Sequence, residues 1–253
     1  MSQPGGQEPS GTGGRRTALI TGGSRGIGRG VVLEAARRGW DVLFTYRARA
    51  DEAADVVSQV ERLGRSATPL QVDMADVESV SRLAAEVVQR TSFSLLVNNA
   101  GVGSEDSLAD TKLENWEAAV AINLTAPMLL SQALAPRLVE NSGAIVNMSS
   151  SGGVVGSLHG PAYGSTKAGL IGLTMTVARE LAPHVRVNAI APGPVDTELW
   201  ASLPEDQKTA VYRETPLGRV CTVEEIARVT LDVAEWTYVT GIVVTADGGR
   251  VMR

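Results

Sequence analysis

The 253-residue sequence predicts an α/β fold, a single doubly wound domain built on a parallel, seven-stranded sheet. Three observations support this prediction. Strand-like and helix-like segments alternate seven times, the strand-like segments are continuous apolar runs, and no internal repeat or linker divides the chain. Continuous apolar strands are typical of a parallel sheet that helices cover on both faces.

Periodicity and glycine positions locate the individual elements. The first helix has Ile27, Val31 and Ala35 four residues apart, directly after a β-type run that ends in glycine. Gly64 ends the second helix, and Pro127 is expected to bend a long helix after the fourth strand. The predicted elements are strand 17–22, helix 26–39, strand 41–47, helix 51–63, strand 68–72, helix 77–90, strand 94–98, helix 113–139, strand 144–148, helix 163–181, strand 185–190, an irregular section, helix 223–234 and strand 242–246.

Composition limits the functions that the chain can have. Hydrophobic residues make up 43% and charged residues 20%, an ordinary globular balance. The net charge is -5 and no basic block occurs, which argues against nucleic acid as a partner. The single Cys221 excludes an internal disulfide and favours a reducing, cytoplasmic setting. With only His159 and His184 besides, no metal site is expected.

The chain ends and the hydropathy pattern add two expectations. Residues 1–14 are rich in Gly, Pro, Ser and Gln, so they are expected to form a flexible tail ahead of one catalytic domain over 15–253. No run of about 18 or more apolar residues occurs, so no membrane span is predicted.

A glycine-rich turn follows the first strand and opens the first helix. Glycines allow a tight turn and a close approach of the backbone to a pyrophosphate, while the helix presents free N–H groups to that anion. Three glycines alone are weak evidence, but their place in a βαβ unit indicates a Rossmann-type dinucleotide site. The residues expected at this site are Gly22, Ser24, Arg25, Gly26, Ile27 and Gly28.

The end of the second strand indicates which dinucleotide binds. An acidic residue there would hold a free adenosine ribose, whereas a cation suits a 2′-phosphate. The chain has Arg47 and Arg49 at this place and no acid until Asp51, and Arg25 in the glycine turn adds a further guanidinium. Guanidinium groups can bind phosphate in bidentate fashion. NADP(H) is therefore expected in preference to NAD(H), the alternative being that Arg47 and Arg49 are only solvated loop charges.

Tyr163 and Lys167 are four residues apart, so they share one face of a helix. A phenol has a pKa of roughly 10 in water, and a neighbouring ammonium is expected to lower it. The phenol could then exchange its proton with a substrate oxygen, and Ser150 could donate a hydrogen bond to the same oxygen. Ser149 and Ser151 remain alternatives to Ser150, and a Tyr–Lys pair at this spacing also occurs by chance.

These motifs, in this order, resemble those of the short-chain dehydrogenase/reductase family over about residues 16–249. The resemblance implies that Asn123, Ser150, Tyr163 and Lys167 are catalytic. Asn123 would anchor a water beside Lys167, and Lys167 would also hold the nicotinamide ribose. Further cofactor contacts implied by the resemblance are Asp73, Asn99 in the Asn-Asn-Ala-Gly segment, Tyr163, Lys167, Pro192, Gly193, Val195 and Thr197.

The substrate is less well indicated than the cofactor. The stretch 198–220 is expected to close over the site as a lid, with Leu199, Trp200 and the nearby His159 as candidate substrate contacts. Within the family the chain is most similar to 3-oxoacyl-acyl-carrier-protein reductases, which implies a small-molecule or carrier-bound carbonyl substrate. Arg137 and Arg179 are candidate contacts to an acidic carrier. Similarity of the C-terminal strand to family interfaces implies a homotetramer.

Two other functions stay open at this level. The same residues would serve an NAD(P)-dependent alcohol or sugar dehydrogenase that works in the oxidative direction. A cofactor-binding regulator without turnover is the alternative from another class, although such a protein would be expected to lack Tyr163 or Lys167.

Overall fold

The computed structural model describes residues 16–103, 106–157, 159–201 and 204–252, except the side chains of Leu199 and Gln207. Within them lies a seven-stranded parallel sheet in the order β3-β2-β1-β4-β5-β6-β7. The strands are β1 Arg16–Ile20, β2 Trp40–Tyr46, β3 Ala67–Gln71, β4 Phe93–Asn98, β5 Ala144–Met148, β6 Arg186–Pro192 and β7 Val243–Ala246.

The sheet confirms the predicted fold class, a doubly wound α/β domain with seven parallel strands. The helices are α1 Gly26–Arg37, α2 Ala50–Arg62, α3 Val77–Val87, α4 Leu113–Val120, α5 Ala126–Glu140, α6 Gly152–Val155, α7 Gly160–Leu181, α8 Glu198–Ala201, α9 Glu205–Glu214 and α10 Val223–Glu235. The predicted tail, residues 1–14, lies outside the described residues.

Two apolar layers hold the helices on the sheet. On one face the buried residues of α1, α2 and α10 pack against the strands, and on the other face those of α3 and α5 do so. Fully buried aromatic side chains are scarce among the described residues: they are Phe44 and Phe93, and most of the remaining core is Ala, Val, Leu and Ile. Small side chains let helices lie close to the sheet.

Strand order places the site. The order reverses between β1 and β4, and in doubly wound sheets ligands bind outside the carboxyl ends of the strands at such a switch point. Residues that directly follow β1, β4, β5 and β6 therefore meet at one edge of the sheet.

The long helix predicted over 113–139 is interrupted, but Pro127 is not the cause. A π-helical turn, Ala121–Thr125, separates α4 from α5. Pro127 lies in the first turn of α5, where a missing N–H is tolerated. The break coincides with the buried Asn123, whose side chain bonds to the backbone of Val102. Single π turns inside helices are frequent at functional sites.

The combined stretch Leu113–Glu140 is long and apolar enough to cross a membrane, with a hydropathy of 1.5. It is the one such helix among the described residues, and 44% of its most apolar window is buried. Its core residues recur every four positions and pack under the sheet: Ile122, Ala126, Leu130, Leu134 and Leu138. One side of this stretch is therefore part of the core that packs on the sheet.

Three short helices were not predicted. Helix α6 follows β5, and helices α8 and α9 lie in the section that is predicted to be irregular. Helix α7 also begins at Gly160, three residues before the predicted start, because Pro161 in its first turn is compatible with a helical start.

Candidate active site

The glycine turn brings two backbone segments into contact. A Cβ atom on Gly28 would lie 2.0 Å from the carbonyl oxygen of Gly22, so only glycine fits there. Gly22 has φ +68°, a left-handed conformation that glycine adopts without strain. Its N–H donates to Thr45 Oγ1 at 2.9 Å, which fixes the turn to the second strand. The turn is therefore preformed by the chain itself.

Helix α1 leaves its first N–H groups open to an anion. Its N-cap residue, Arg25, makes no side-chain hydrogen bond to them. Unpaired N–H groups and the helix dipole together favour a phosphate at this end. Ser24 lies half-buried beside the opening, and Ile27 packs into the core layer below it. Turn and helix end together fit a dinucleotide pyrophosphate.

A cationic cavity of about 200 Å³ lies beside the glycine turn. Among the described residues Arg47 makes no ion pair. Arg25 and Arg49 each pair with Glu198. The cavity is lined by Ser24, Arg25, Arg47, Ala48 and Arg49. The guanidiniums predicted from two separate segments are thus brought together.

Asn99 supports this turn, and Asp73 lies after the third strand of the sheet. The Asn99 amide donates to the carbonyl oxygens of Thr21 and Gly22, at 2.9 and 3.3 Å, so it holds the glycine turn in place. Asp73 follows β3, is exposed, and accepts a hydrogen bond from the Ala75 N–H. The structure places both residues at the expected edge of the sheet.

The segment after β6 closes the same edge. A Cβ on Gly193 would lie 2.8 Å from Asp247 Cα, so this position also needs glycine. Pro192 accepts a hydrogen bond from the Ser151 N–H, which ties β6 to the serine segment. Val195 is buried and bridges to Cys221. The Thr197 methyl lies 3.8 Å from where a Gly26 Cβ would be, so this segment reaches the glycine turn.

Of the three consecutive serines, Ser150 faces Tyr163. The Ser150 hydroxyl forms a hydrogen bond with the Tyr163 hydroxyl and accepts one from the Gly152 N–H at 3.1 Å. Ser149 is buried, and its hydroxyl donates to the Lys167 carbonyl at 2.8 Å. Ser149 therefore fixes helix α7, and Ser150 is the serine that can meet a substrate oxygen.

Lys167 is buried beneath Tyr163. Its side chain is 4% exposed, its Nζ donates to the Met148 carbonyl oxygen at 2.8 Å, and the same Nζ lies 5.6 Å from the centre of the tyrosine ring. Burial lowers the pKa of Lys167 to about 8. A Cβ on Gly101 would lie 3.2 Å from Nζ, so the glycine leaves this ammonium its space.

The expected lowering of the Tyr163 pKa is wrong for this arrangement. Burial raises the pKa of Tyr163, and the hydrogen bond with Ser150 opposes that rise. Desolvation of the phenolate has the largest influence on this pKa, because the ring is largely enclosed by protein. The Lys167 ammonium donates its hydrogen bond to the Met148 carbonyl and makes none to the phenol. The phenol is accordingly held in its protonated form.

Asn123 is fully buried on the π turn. Its amide accepts from the Val102 N–H and donates to the Val102 carbonyl, both at 2.8 Å, and it donates to Thr166 Oγ1 at 3.0 Å. Thr166 immediately precedes Lys167. Asn123 thus connects the loop after β4 with the helix that carries the tyrosine and lysine.

The predicted substrate residues are not all in one place. The His159 ring contacts the Tyr163 ring edge to face, with centres 5.6 Å apart. Trp200 is 8% exposed and packs against Tyr212 in the same way. Trp200 therefore holds α8 to α9 with little surface left for a ligand. The side chain of Leu199 lies outside the described residues.

Four further residues support this site and do not stand out in the sequence. Thr21 accepts from the N–H groups of Asn99 and Ala100, and Thr45 anchors the glycine turn. Thr166 accepts from Asn123, and Glu198 pairs with two arginines of the cavity. Thr166 lies between Tyr163 and Lys167 in the sequence, so its position beside the lysine could have indicated it. The other three act across separate segments, which spacing alone does not show.

Known proteins share both the sequence and the fold. A sequence model described as short chain dehydrogenase matches residues 16–208. The 3-oxoacyl-acyl-carrier-protein reductase FabG of Staphylococcus aureus is 35% identical over 242 residues, which cover 94% of this chain and 98% of that protein. The protein of the same name from Thermotoga maritima is also 35% identical, with 94% and 98% covered.

Two solved structures superpose closely. A short-chain dehydrogenase/reductase from Serratia marcescens has a TM-score of 0.87 at 32% identity, covering 93% of this chain and 97% of that one. A blue fluorescent protein from a metagenomic library, in complex with NADPH, has a TM-score of 0.87 at 31% identity, covering 94% and 98%.

The fold, the site and these matches define an oxidoreductase that acts on carbonyl or hydroxyl groups with a nicotinamide cofactor. The family match covers well over half of the sequence, and the chain belongs to the short-chain dehydrogenase/reductase family. Its relatives named 3-oxoacyl-acyl-carrier-protein reductase match it over nearly its whole length.

Proposed function

We propose that the protein is an NADPH-dependent ketoreductase. The observation that carries this proposal is the cavity formed by Arg25, Arg47 and Arg49 beside the glycine turn. Three guanidiniums there suit a 2′-phosphate and would be unusual around two ribose hydroxyls. NADPH in the structure of the blue fluorescent protein is consistent with this assignment.

The catalytic step follows from three side chains of the site. The cofactor, when bound, supplies the hydride to the carbonyl carbon. Tyr163 donates its phenolic proton to the substrate oxygen, and Ser150 donates a hydrogen bond that orients the same oxygen. Lys167, whose Nζ lies beneath the ring, binds the nicotinamide ribose and favours the phenolate that remains. Asn123 holds the loop after β4 against Thr166, so it keeps Lys167 in position.

The substrate is proposed to be a 3-oxoacyl group, free or on a carrier protein. The names of the Staphylococcus and Thermotoga relatives support this class. Residues 198–220 would act as a lid, and His159 would line the entrance beside Tyr163. Arg137 gives little support to carrier docking, because it pairs with Glu140 and donates to the Val88 carbonyl. The exposed Arg179 remains the better candidate.

A test compares turnover and cofactor binding. The purified chain should oxidise NADPH in the presence of an acyl-carrier or short thioester 3-ketone, with a lower KM for NADPH than for NADH. A lower KM for NADH would contradict the cofactor assignment. NADPH binding without turnover across a broad carbonyl panel would instead favour a cofactor-binding regulator.

Replacing Arg47 with alanine is expected to weaken NADPH binding about tenfold or more and to leave NADH binding nearly unchanged. A lost charge-assisted contact corresponds to about 1.5–3 kcal/mol, and only NADPH has the phosphate. Titration of each cofactor by its fluorescence gives both dissociation constants. Arg62→Ala, an exposed arginine at the end of α2, is the control. Equal losses for both cofactors would mean that Arg47 does not contact the phosphate.

We propose a homotetramer that pairs through the edge of the sheet. Strand β7 ends the sheet, and the loop before it presents Tyr238, 99% exposed, and the half-exposed Trp236. Light scattering coupled to gel filtration should give about four times the 26.5 kDa chain mass. Tyr238→Asp should shift the mass toward the dimer or monomer; a monomeric wild-type chain would contradict this proposal.

A cytoplasmic location is proposed from the state of the cysteine. Cys221 is free and half-buried, and burial raises its pKa to about 11. It is therefore a protonated, weakly reactive thiol at neutral pH, as suits a reducing compartment.

A further inference from the structure

Glu198 brings a negative charge to the arginine cavity. One of its carboxylate oxygens, Oε2, lies 3.5 Å from Arg25 Nη1 and 3.8 Å from Arg49 Nη1. Arg25 and Arg49 line the cavity proposed for the 2′-phosphate. A single carboxylate oxygen therefore contacts guanidiniums from both segments that form the cavity.

The backbone around Glu198 is held close to the glycine turn. Thr197 lies against Gly26, and the Thr197 carbonyl accepts from the Ala201 N–H within the same turn of helix. Trp200 anchors that turn by packing against Tyr212. Packing of this backbone segment therefore holds Glu198 next to the cavity, although its side chain is 66% exposed.

Carboxylates pair with two of the three guanidiniums of the cavity. Arg49 is shared by Glu198 and by Glu52, which also binds it, and the two carboxylates raise the Arg49 pKa, Glu52 having the larger influence. Arg25 pairs with Glu198, and Arg47 has no ion pair among the described residues. Two of the three guanidiniums that line the cavity are thus paired with carboxylates. A phosphate dianion would have to displace or tolerate one of those carboxylates.

We propose that Glu198 is a specificity-determining residue that competes with the 2′-phosphate of the cofactor for Arg25 and Arg49. It thereby holds NADPH affinity, and the preference over NADH, below what the arginines alone would give. NADH has no phosphate and leaves both ion pairs in place. This inference rests on the proposed use of NADP(H).

A conservative substitution tests the competition. Glu198→Gln keeps the shape of the side chain and removes its charge. We expect the NADPH dissociation constant to fall about three- to tenfold at low salt, because the exposed carboxylate no longer competes with the phosphate for the guanidiniums. The NADH dissociation constant should change by less than about twofold, because NADH has no phosphate at this position. At about 0.5 M salt the gain for NADPH should shrink, because screening then shortens the reach of exposed charges.

Glu205→Gln is the matched control. Glu205 belongs to the same segment but pairs with Lys208 on its own helix, so its substitution should leave both dissociation constants unchanged. Thermal unfolding of each variant shows that it is folded.

Two results would overturn the inference: an unchanged NADPH constant in Glu198→Gln, or a weakened NADH constant, which would mean that Glu198 binds the ribose hydroxyls. A wild-type chain that binds NADH better than NADPH would refute the proposed cofactor instead. Even then, the change in NADPH affinity on substituting Glu198 decides whether the carboxylate competes.

Discussion

Tyr163→Phe is expected to lower kcat for carbonyl reduction by about 10²- to 10⁴-fold, the usual contribution of a positioned general acid. The variant loses only the hydroxyl that donates the proton. Its ring keeps the edge-to-face contact with His159 and its place over Lys167. NADPH binding should therefore persist. Steady-state kinetics with a 3-oxoacyl thioester, together with fluorescence titration of NADPH, measures both quantities.

Tyr238→Phe is the control, because Tyr238 lies in the loop before β7, away from the site, and the substitution removes a phenolic hydroxyl while keeping the ring proposed for the subunit contact. Ser150→Ala should also reduce kcat, whereas Ser149→Ala should chiefly destabilise the fold by removing the hydrogen bond to the backbone carbonyl of Lys167. Wild-type turnover in Tyr163→Phe would remove the proposed acid from the mechanism.

The protonation state of Tyr163 bears on the direction of the reaction. Burial raises its pKa, so the residue is a phenol at neutral pH, and a phenol can donate a proton without prior ionisation. Oxidation of an alcohol needs the phenolate instead, which requires compensation from Lys167 and from the cationic nicotinamide ring. The enclosed phenol can therefore donate the proton in the proposed reduction, and the same group would serve the reverse reaction once its phenolate is stabilised.

The fold was predictable because its signals are local. Strands that are buried on both faces appear as continuous apolar runs, and these runs locate every strand to within about two residues. The four-residue spacing of apolar residues marks the helices that cover the sheet. The interruption of the helix at Ala121–Thr125 was not predictable, because it depends on the bonds between Asn123 and the distant Val102. Pro127, the local signal for a bend, lies after the interruption and does not cause it.

The site was predictable where its residues lie close together in the sequence. Tyr163 and Lys167 are predicted from their spacing and Ser150 from its hydroxyl and the family resemblance, and the structure places the three close together. The sign of the Tyr163 pKa shift was wrong because burial and the Met148 contact of Lys167 are tertiary properties. Glu198 was missed for the same reason: nothing in its neighbourhood along the chain indicates that it reaches Arg25.

Lys167→Met is expected to abolish most turnover, by at least about 10²-fold, and yet to change stability in a pH-dependent way. The pKa of Lys167 is about 8 in the folded chain against an ordinary value of 10.5. Between these values the unfolded chain binds more protons, so the lysine makes folding stability rise with pH across this window. Each pKa unit corresponds to about 1.4 kcal/mol, so the charged lysine costs the fold up to about 3 kcal/mol at neutral pH.

Methionine removes that cost but leaves the Met148 carbonyl without its donor, a loss of about 1–3 kcal/mol. At pH 7 the variant should therefore be about as stable as the wild type, while at pH 10 the wild type should be the more stable by a few kcal/mol. Urea unfolding without cofactor, at one protein concentration and several pH values, gives this difference directly. Lys112→Met, which removes an exposed ammonium, should show no such pH dependence. A constant difference between wild type and Lys167→Met from pH 7 to 10 would mean that the buried amine keeps its ordinary pKa, because only a shifted group links its proton to folding.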